Sequence, residues 1–156
     1  MKGLLSVIMT LSVLFLWSCK KDAAPGSIES LFQGLGEAKG FIETKRYYTD
    51  GTLGAIERAA SQGGVTPDQM SRILPSFTAG ARWEELSRDV RGNRADVTIR
   101  FVQHPVQNMV GFTVRFRLIR EDGGWKIDLK EEVEQSLSTM KKEGAADYLR
   151  KLGSFQ

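Results

Sequence analysis

Two side chains bound the covalent chemistry open to this sequence: Cys19, its only thiol, and His104, its only imidazole. A lone thiol can form no intramolecular disulfide. One cysteine and one histidine supply none of the usual three- or four-ligand metal sets. A nucleophilic triad needs a base held against the nucleophile by a third group, and no Asp or Glu stands at a recognisable spacing from His104. His104 precedes Pro105, which biases it toward extended backbone, so it is expected to be a surface-loop histidine with no catalytic role. The glycines lie scattered at turns and helix ends and form no phosphate-cradling loop. No catalytic, cofactor-binding or metal-binding residue is therefore expected, and no cofactor.

Two further sets of residues could act by contact. Segment 81–120 holds eight arginines against four acids. Arg100, Arg115 and Arg117 fall on the polar positions of alternating strands. They read either as a solvated outer face whose stems cover the sheet, or as a docking surface for an acidic partner or a second copy of the chain. Tyr47, Tyr48, Trp83, Phe101, Phe112 and Phe116 could line an apolar pocket, although aromatics at such spacing are commonly plain core.

The N-terminus carries an address. Met1-Lys2 is followed by an almost wholly apolar run, Gly3 to Trp17, and then by Ser18-Cys19-Lys20-Lys21-Asp22. A charged start, a short apolar run and a small residue before the cut describe a secretory signal. The run falls short of the roughly 20 apolar residues that a bilayer-spanning helix needs. Leu16-Trp17-Ser18-Cys19 resembles the lipobox of bacterial lipoproteins, with Trp17 standing where that family usually carries a smaller residue. The resemblance implies a diacylglyceryl group on the Cys19 sulfur and cleavage just before it, giving an exported protein anchored to a bacterial membrane. Stable anchoring needs two or more acyl chains.

Removing residues 1–18 from the 156 leaves 138, enough for one domain. Net charge then falls from +3 to +2, because Lys2 is the only charged residue in that segment. So small a charge gives no general argument for nucleic acid. The expected organisation is a signal peptide at 1–18, a lipidated tether at 19–27, an α+β domain at 28–130 and a C-terminal helical extension at 131–156.

Within the domain the apolar period changes once. Ile28, Leu31, Phe32 and Leu35 mark an amphipathic helix with Ser27 as N-cap. Leu53, Ile56 and Ala60 mark another, closed by Gly63-Gly64. Thr66-Pro67-Asp68-Gln69 has capping-box spacing with proline at the first helical position, and Met70, Ile73 and Leu74 follow before Pro75. From Val97 the period becomes two: Val97, Ile99 and Phe101, then Val110, Phe112, Val114, Phe116 and Leu118, then Trp125, Ile127 and Leu129. A less regular strand is expected over Ala81–Val90, with Arg91-Gly92-Asn93-Arg94 as its turn. The apolar faces of the strands are expected to carry no carboxylate at all, so no general base can be named. Val133, Leu137, Met140, Tyr148, Leu149 and Leu152 outline the closing helix, with Gly144 as an interruption.

Helices first and a short-looped antiparallel meander second make an α+β fold: N-terminal helices packed on a curved sheet of about four strands, plus a C-terminal helix. The opening helix, the stretch Thr44–Leu53 and the closing Leu118–Asp128 resemble the nuclear-transport-factor-2-like superfamily, in particular its small bacterial lipoproteins. That resemblance implies a cone-shaped domain with a pocket at its open end. Some relatives are isomerases, dehydratases or hydrolases, and others bind or scaffold, so fold does not decide function. Two expectations stand. One is a non-enzymatic binding or assembly module at the membrane, engaging an envelope protein, a homodimer partner or a small apolar ligand. The other is a pocket enzyme acting on a small hydrophobic substrate.

Overall fold

The computed structural model of the protein describes residues 25–74, 80–144, 147, 148, 150 and 151. Cys19, the segments before it, Pro75, Leu149 and Leu152 lie outside the described residues.

The chain starts with helix α1, Ile28–Glu37, set by a full capping box: the Ser30 amide donates to Ser27 Oγ at 3.1 Å and the Ser27 amide to Ser30 Oγ at 3.2 Å. Ile28, Leu31, Phe32 and Leu35 face inward and are buried. A short α2, Gly40–Thr44, and one 3₁₀ turn lead to α3, Asp50–Gly63, which ends at Gly64 with φ +65°. Thr66-Pro67-Asp68-Gln69 makes the expected capping box at the head of α4, Pro67–Met70. The helix then tightens into a 3₁₀ turn over Ser71–Ile73 rather than running to Leu74.

Four strands follow: β1, Arg82–Arg91; β2, Arg94–Gln103; β3, Thr113–Glu121; and β4, Gly124–Ile127. They form one antiparallel sheet in the order β1-β2-β3-β4. Helix α5, Lys130–Glu143, closes the domain by packing on α3, and ends at Gly144 with φ +88°. The fold is α+β, as the change of period predicts.

The core lies between the helices and the inner face of the sheet, where Val97, Ile99, Phe101, Phe116, Leu118 and Ile127 are sealed from solvent against Leu31, Leu35 and Ile56. Phe32 sits on Phe116 edge to face, ring centroids 5.5 Å apart. Tyr48 is deeply buried, and that burial pushes its phenol well above the ordinary tyrosine range.

Three boundaries differ from the sequence expectation. Strand β3 begins at Thr113, because Val110-Gly111 belongs to a turn in which the Gly111 amide donates to the Phe101 carbonyl at 2.7 Å. Val110 and Phe112 are consequently exposed. Strand β4 ends at Ile127, and Leu129, though buried, caps α5 instead. Strand β1, the least regular in sequence, pairs with β2 along its length through two irregularities, between Arg82 and Trp83 and between Glu85 and Ser87.

The two sheet edges are treated differently. Beside β4, the Trp125 amide donates to the Pro25 carbonyl at 2.8 Å, the Thr49 amide donates to the Ile127 carbonyl at 3.0 Å, and Tyr48 forms a parallel bridge to Ile127. Edge strand β1 has no such cover among the described residues. Its bulges and charged side chains oppose edge-to-edge pairing.

Candidate binding groove

Beside α1 the core-side face of edge strand β1 is left partly uncovered, and a groove of ≈ 460 Å³ opens between them. Volumes of several hundred Å³ are typical of small-molecule sites. Its helical wall consists of Glu29, Phe32, Gln33, Gly36 and Glu37, spaced so that all five fall on one helix face. Ala81, Trp83, Glu85 and Arg88 come from the opposite side, and Ile99 of β2 forms part of the floor.

Two sequence features shape this groove. The first is Gly36. A Cβ there would lie 2.8 Å from the Trp83 Cη2, so only glycine lets the indole pack this closely on the helix. The indole is half-buried and lies 6.4 Å from the Phe32 ring. The second is the bulge at Leu86. Glu85 pairs with Ile99 and Arg88 with Val97, so both charged side chains stand on the core-side face of an edge strand. The expectation of a carboxylate-free apolar face fails at Glu85, because the bulge breaks the alternation that a strict period of two assumes.

Arg88 spans the groove. Its Nε and Nη2 donate to the two Glu85 carboxylate oxygens at 2.9 and 2.6 Å, and its Nη1 donates to Glu29 at 2.5 Å. This is a bidentate pair plus a strap to α1. The Glu85 and Glu29 bonds push the guanidinium further above its ordinary value. Glu29 is held below the usual carboxylate range by its own backbone hydrogen bond, then by Arg88 and Ser27. Along the same wall the Gln33 amide donates to Glu37 at 3.0 Å.

The other residues singled out by sequence fall elsewhere. Of the six aromatics, only Trp83 lines the groove. Tyr47, Tyr48, Phe101 and Phe116 are buried in the core, and Phe112 is 54% exposed beside the β2–β3 turn. Arg100, Arg115 and Arg117 do share the outer face, but each is matched. Arg100 pairs with Glu84, and Arg115 with Asp96 at 3.1 Å. Arg117 pairs with Glu131 and Glu132 at 3.1 Å each, with Asp128 farther off at 3.9 Å. A depression of ≈ 500 Å³ between Asp96, Arg115, Arg117 and Glu132 is lined by these already paired charges.

His104 is a correction: it is buried, at 7% exposure, not a surface-loop residue. The backbone after it turns so that the Val106 amide donates to Nδ1 at 3.0 Å, while the ring packs edge-on to Phe101 with centroids 5.2 Å apart. Satisfying one ring nitrogen from the backbone is what makes the burial tolerable.

Lys126 is buried as well, ringed by Asp122 at 2.8 Å, Glu121 at 3.5 Å and Asp50 at 3.7 Å. Burial alone would lower its pKa, but the Asp122 hydrogen bond and the charges of Asp122, Asp50 and Glu121 outweigh it and raise it. This cluster ties the β3–β4 turn to the head of α3. Among the described residues no group of three or more His, Cys, Asp or Glu could hold a metal ion, and no helix is long and apolar enough to cross a membrane.

Sequence reasoning missed Glu29, Gln33, Gly36, Glu37, Glu85 and Arg88. The available signal was the glycine pair, Gly34 and Gly36, inside an amphipathic helix where each costs up to about 1 kcal/mol. Glycines kept at that cost commonly mark close approaches. A Cβ at Gly34 would likewise lie 2.2 Å from the Tyr47 hydroxyl.

Compared with known protein families, curated proteins and solved structures, the chain matches none of them.

Proposed function

We propose that this protein is exported, held at a bacterial membrane by lipid on Cys19, and acts there as a non-enzymatic binding module whose seat is the groove between α1 and β1. The anchor rests on the signal-like N-terminus and the lipobox resemblance. The binding role rests chiefly on one observation: a half-buried indole in a groove beside a helix, partly open to solvent and rimmed by charged groups. The polar groups buried in the core argue in the same direction. Among the described residues the buried polar side chains are Thr49, Thr52, His104 and Lys126, and none of these is a carboxylate that could serve as a shielded general base. The matched charges of the outer face make it a weaker docking surface than its arginine count suggests. The order of helices followed by a meander agrees with the nuclear-transport-factor-2-like resemblance, which is kept as part of this proposal.

Five residues, Lys20 to Ala24, separate Cys19 from Pro25, a reach of about 20 Å when extended. Pro25 is fixed beside Trp125, so the anchor would keep the β3–β4 turn near the bilayer.

Native mass spectrometry of the protein extracted from its own membranes tests both halves. The expected mass is that of a chain starting at lipidated Cys19 with a non-covalent adduct, and Trp83→Ala should lose that adduct. An unmodified N-terminus at Met1 contradicts the anchor. An adduct kept by Trp83→Ala but lost on Arg115→Gln/Arg117→Gln would move the seat to the outer face.

A further inference from the structure

The charges around the groove define what it can hold. Glu29, Glu37 and Glu85 face a single guanidinium, Arg88. That guanidinium is fully committed, with Nε and Nη2 on Glu85 and Nη1 on Glu29. An anion entering the groove would meet two uncompensated negative charges and no free donor cation. A purely apolar molecule would cover the carboxylates without pairing them, which is unfavourable. Among the described residues no three carboxylates are grouped so that they could hold a metal ion, so a small inorganic cation finds no ligand set here.

We infer that the groove binds an organic cation with a compact apolar body, such as an alkyl- or aryl-ammonium group. The body would lie against Trp83, and the charge would face Glu37, whose carboxylate accepts only from the neutral Gln33 amide. This rests on the groove being the binding seat proposed above. An ammonium over an indole gains from the ring quadrupole, most where water is partly excluded, and the neighbouring carboxylates add Coulombic attraction within a Debye length. Gly36 keeps the indole in place without closing the groove: a Cβ there would push into Trp83. The Arg88–Glu29 strap bounds one end, so a compact ligand fits better than an extended chain.

The test is a titration of the purified full-length protein with three probes, read by the fluorescence change that Trp83→Phe removes. The probes are benzyltrimethylammonium, benzyl alcohol and benzenesulfonate. The ammonium probe should bind saturably and at least ten-fold more tightly than either of the others. Glu37→Gln should weaken it about five-fold, the scale of one partly exposed ion pair. Gly36→Ala should abolish binding with the fold intact by circular dichroism, because a better helix former offsets the crowding of Trp83. Glu29→Gln/Glu85→Gln, which frees Arg88, should turn the preference toward benzenesulfonate. Equal or tighter binding of the neutral or anionic probe to the unaltered protein would overturn the cation inference and leave the groove as a binding seat. Absence of binding by all three probes would overturn it too, and the native adduct described above then decides separately whether the groove binds anything.

Discussion

Replacing Thr52 by valine removes a hydroxyl and changes almost nothing else, which makes it a clean probe of how the helical half is joined to the sheet. Thr52 is completely buried in the first turn of α3. Its Oγ1 accepts the Leu129 amide at 2.8 Å and shares a hydrogen bond with Thr49 Oγ1 at 2.9 Å. Thr49 caps α3 and also donates to Asp128 at 3.3 Å. Valine keeps the shape, so no cavity forms. The Leu129 amide, at the head of α5, loses its acceptor where water cannot replace it, at a cost of about 1–3 kcal/mol. With the shared hydroxyl bond also gone, the expected loss is about 3 kcal/mol. For a domain of this size each kcal/mol shifts Tm by roughly 3–4 °C, so Tm should fall by about 10 °C. Thr52→Ser keeps the acceptor and loses one methyl group, at about 1 kcal/mol. Thermal and urea melts of the three proteins test the idea. A valine variant as stable as the serine variant would refute the hydroxyl as the link between α3 and α5.

Gly34→Ala should destabilise the protein by about 1–2 kcal/mol despite its higher helix propensity, since its Cβ would lie 2.2 Å from the Tyr47 hydroxyl in a closed core. A urea melt showing no loss would mean that Tyr47 can move. Lys126 has a raised folded pKa, so its contribution is complete below the unfolded lysine value of about 10.4 and is lost as pH climbs through the higher folded value. The stability advantage of the unaltered protein over Lys126→Met should therefore shrink as pH rises from about 10 toward about 12. Glu29 behaves in the opposite sense: its depressed pKa makes its contribution present above about pH 4.3 and lost as pH falls through the folded value. Urea melts of the unaltered protein and of Arg88→Met should differ near neutrality and converge in acid.

The fold was legible because its signals are local. Ser27 and Thr66 announce helix starts, the alternation from Val97 to Phe101 announces a strand, and Asp122-Gly123, both at positive φ, supply the tight turn between β3 and β4. The groove was not legible, because it depends on one element crossing another. Trp83 stood out as an aromatic, but its being left half-covered follows from Gly36 on a helix some fifty residues away. Glu85 and Arg88 share the inner face only because Leu86 is bulged, and a bulge has no period to read. His104 shows the same limit: its burial depends on the Val106 amide reaching back to Nδ1. The arginines were placed correctly on one face, but the acids that match them come from β1, β2 and α5, a pairing visible only once those elements are side by side.

Hydrogen exchange of the protein in its native membranes, compared with the purified protein, tests the central claim most directly. If the groove is the binding seat, amides across Glu29–Glu37 and Arg82–Arg88 should exchange more slowly in the membrane, while those of β3 near Arg115 and Arg117 should be unchanged. Equal exchange along α1 and β1 in the two states, or protection confined to the arginine face, would contradict it.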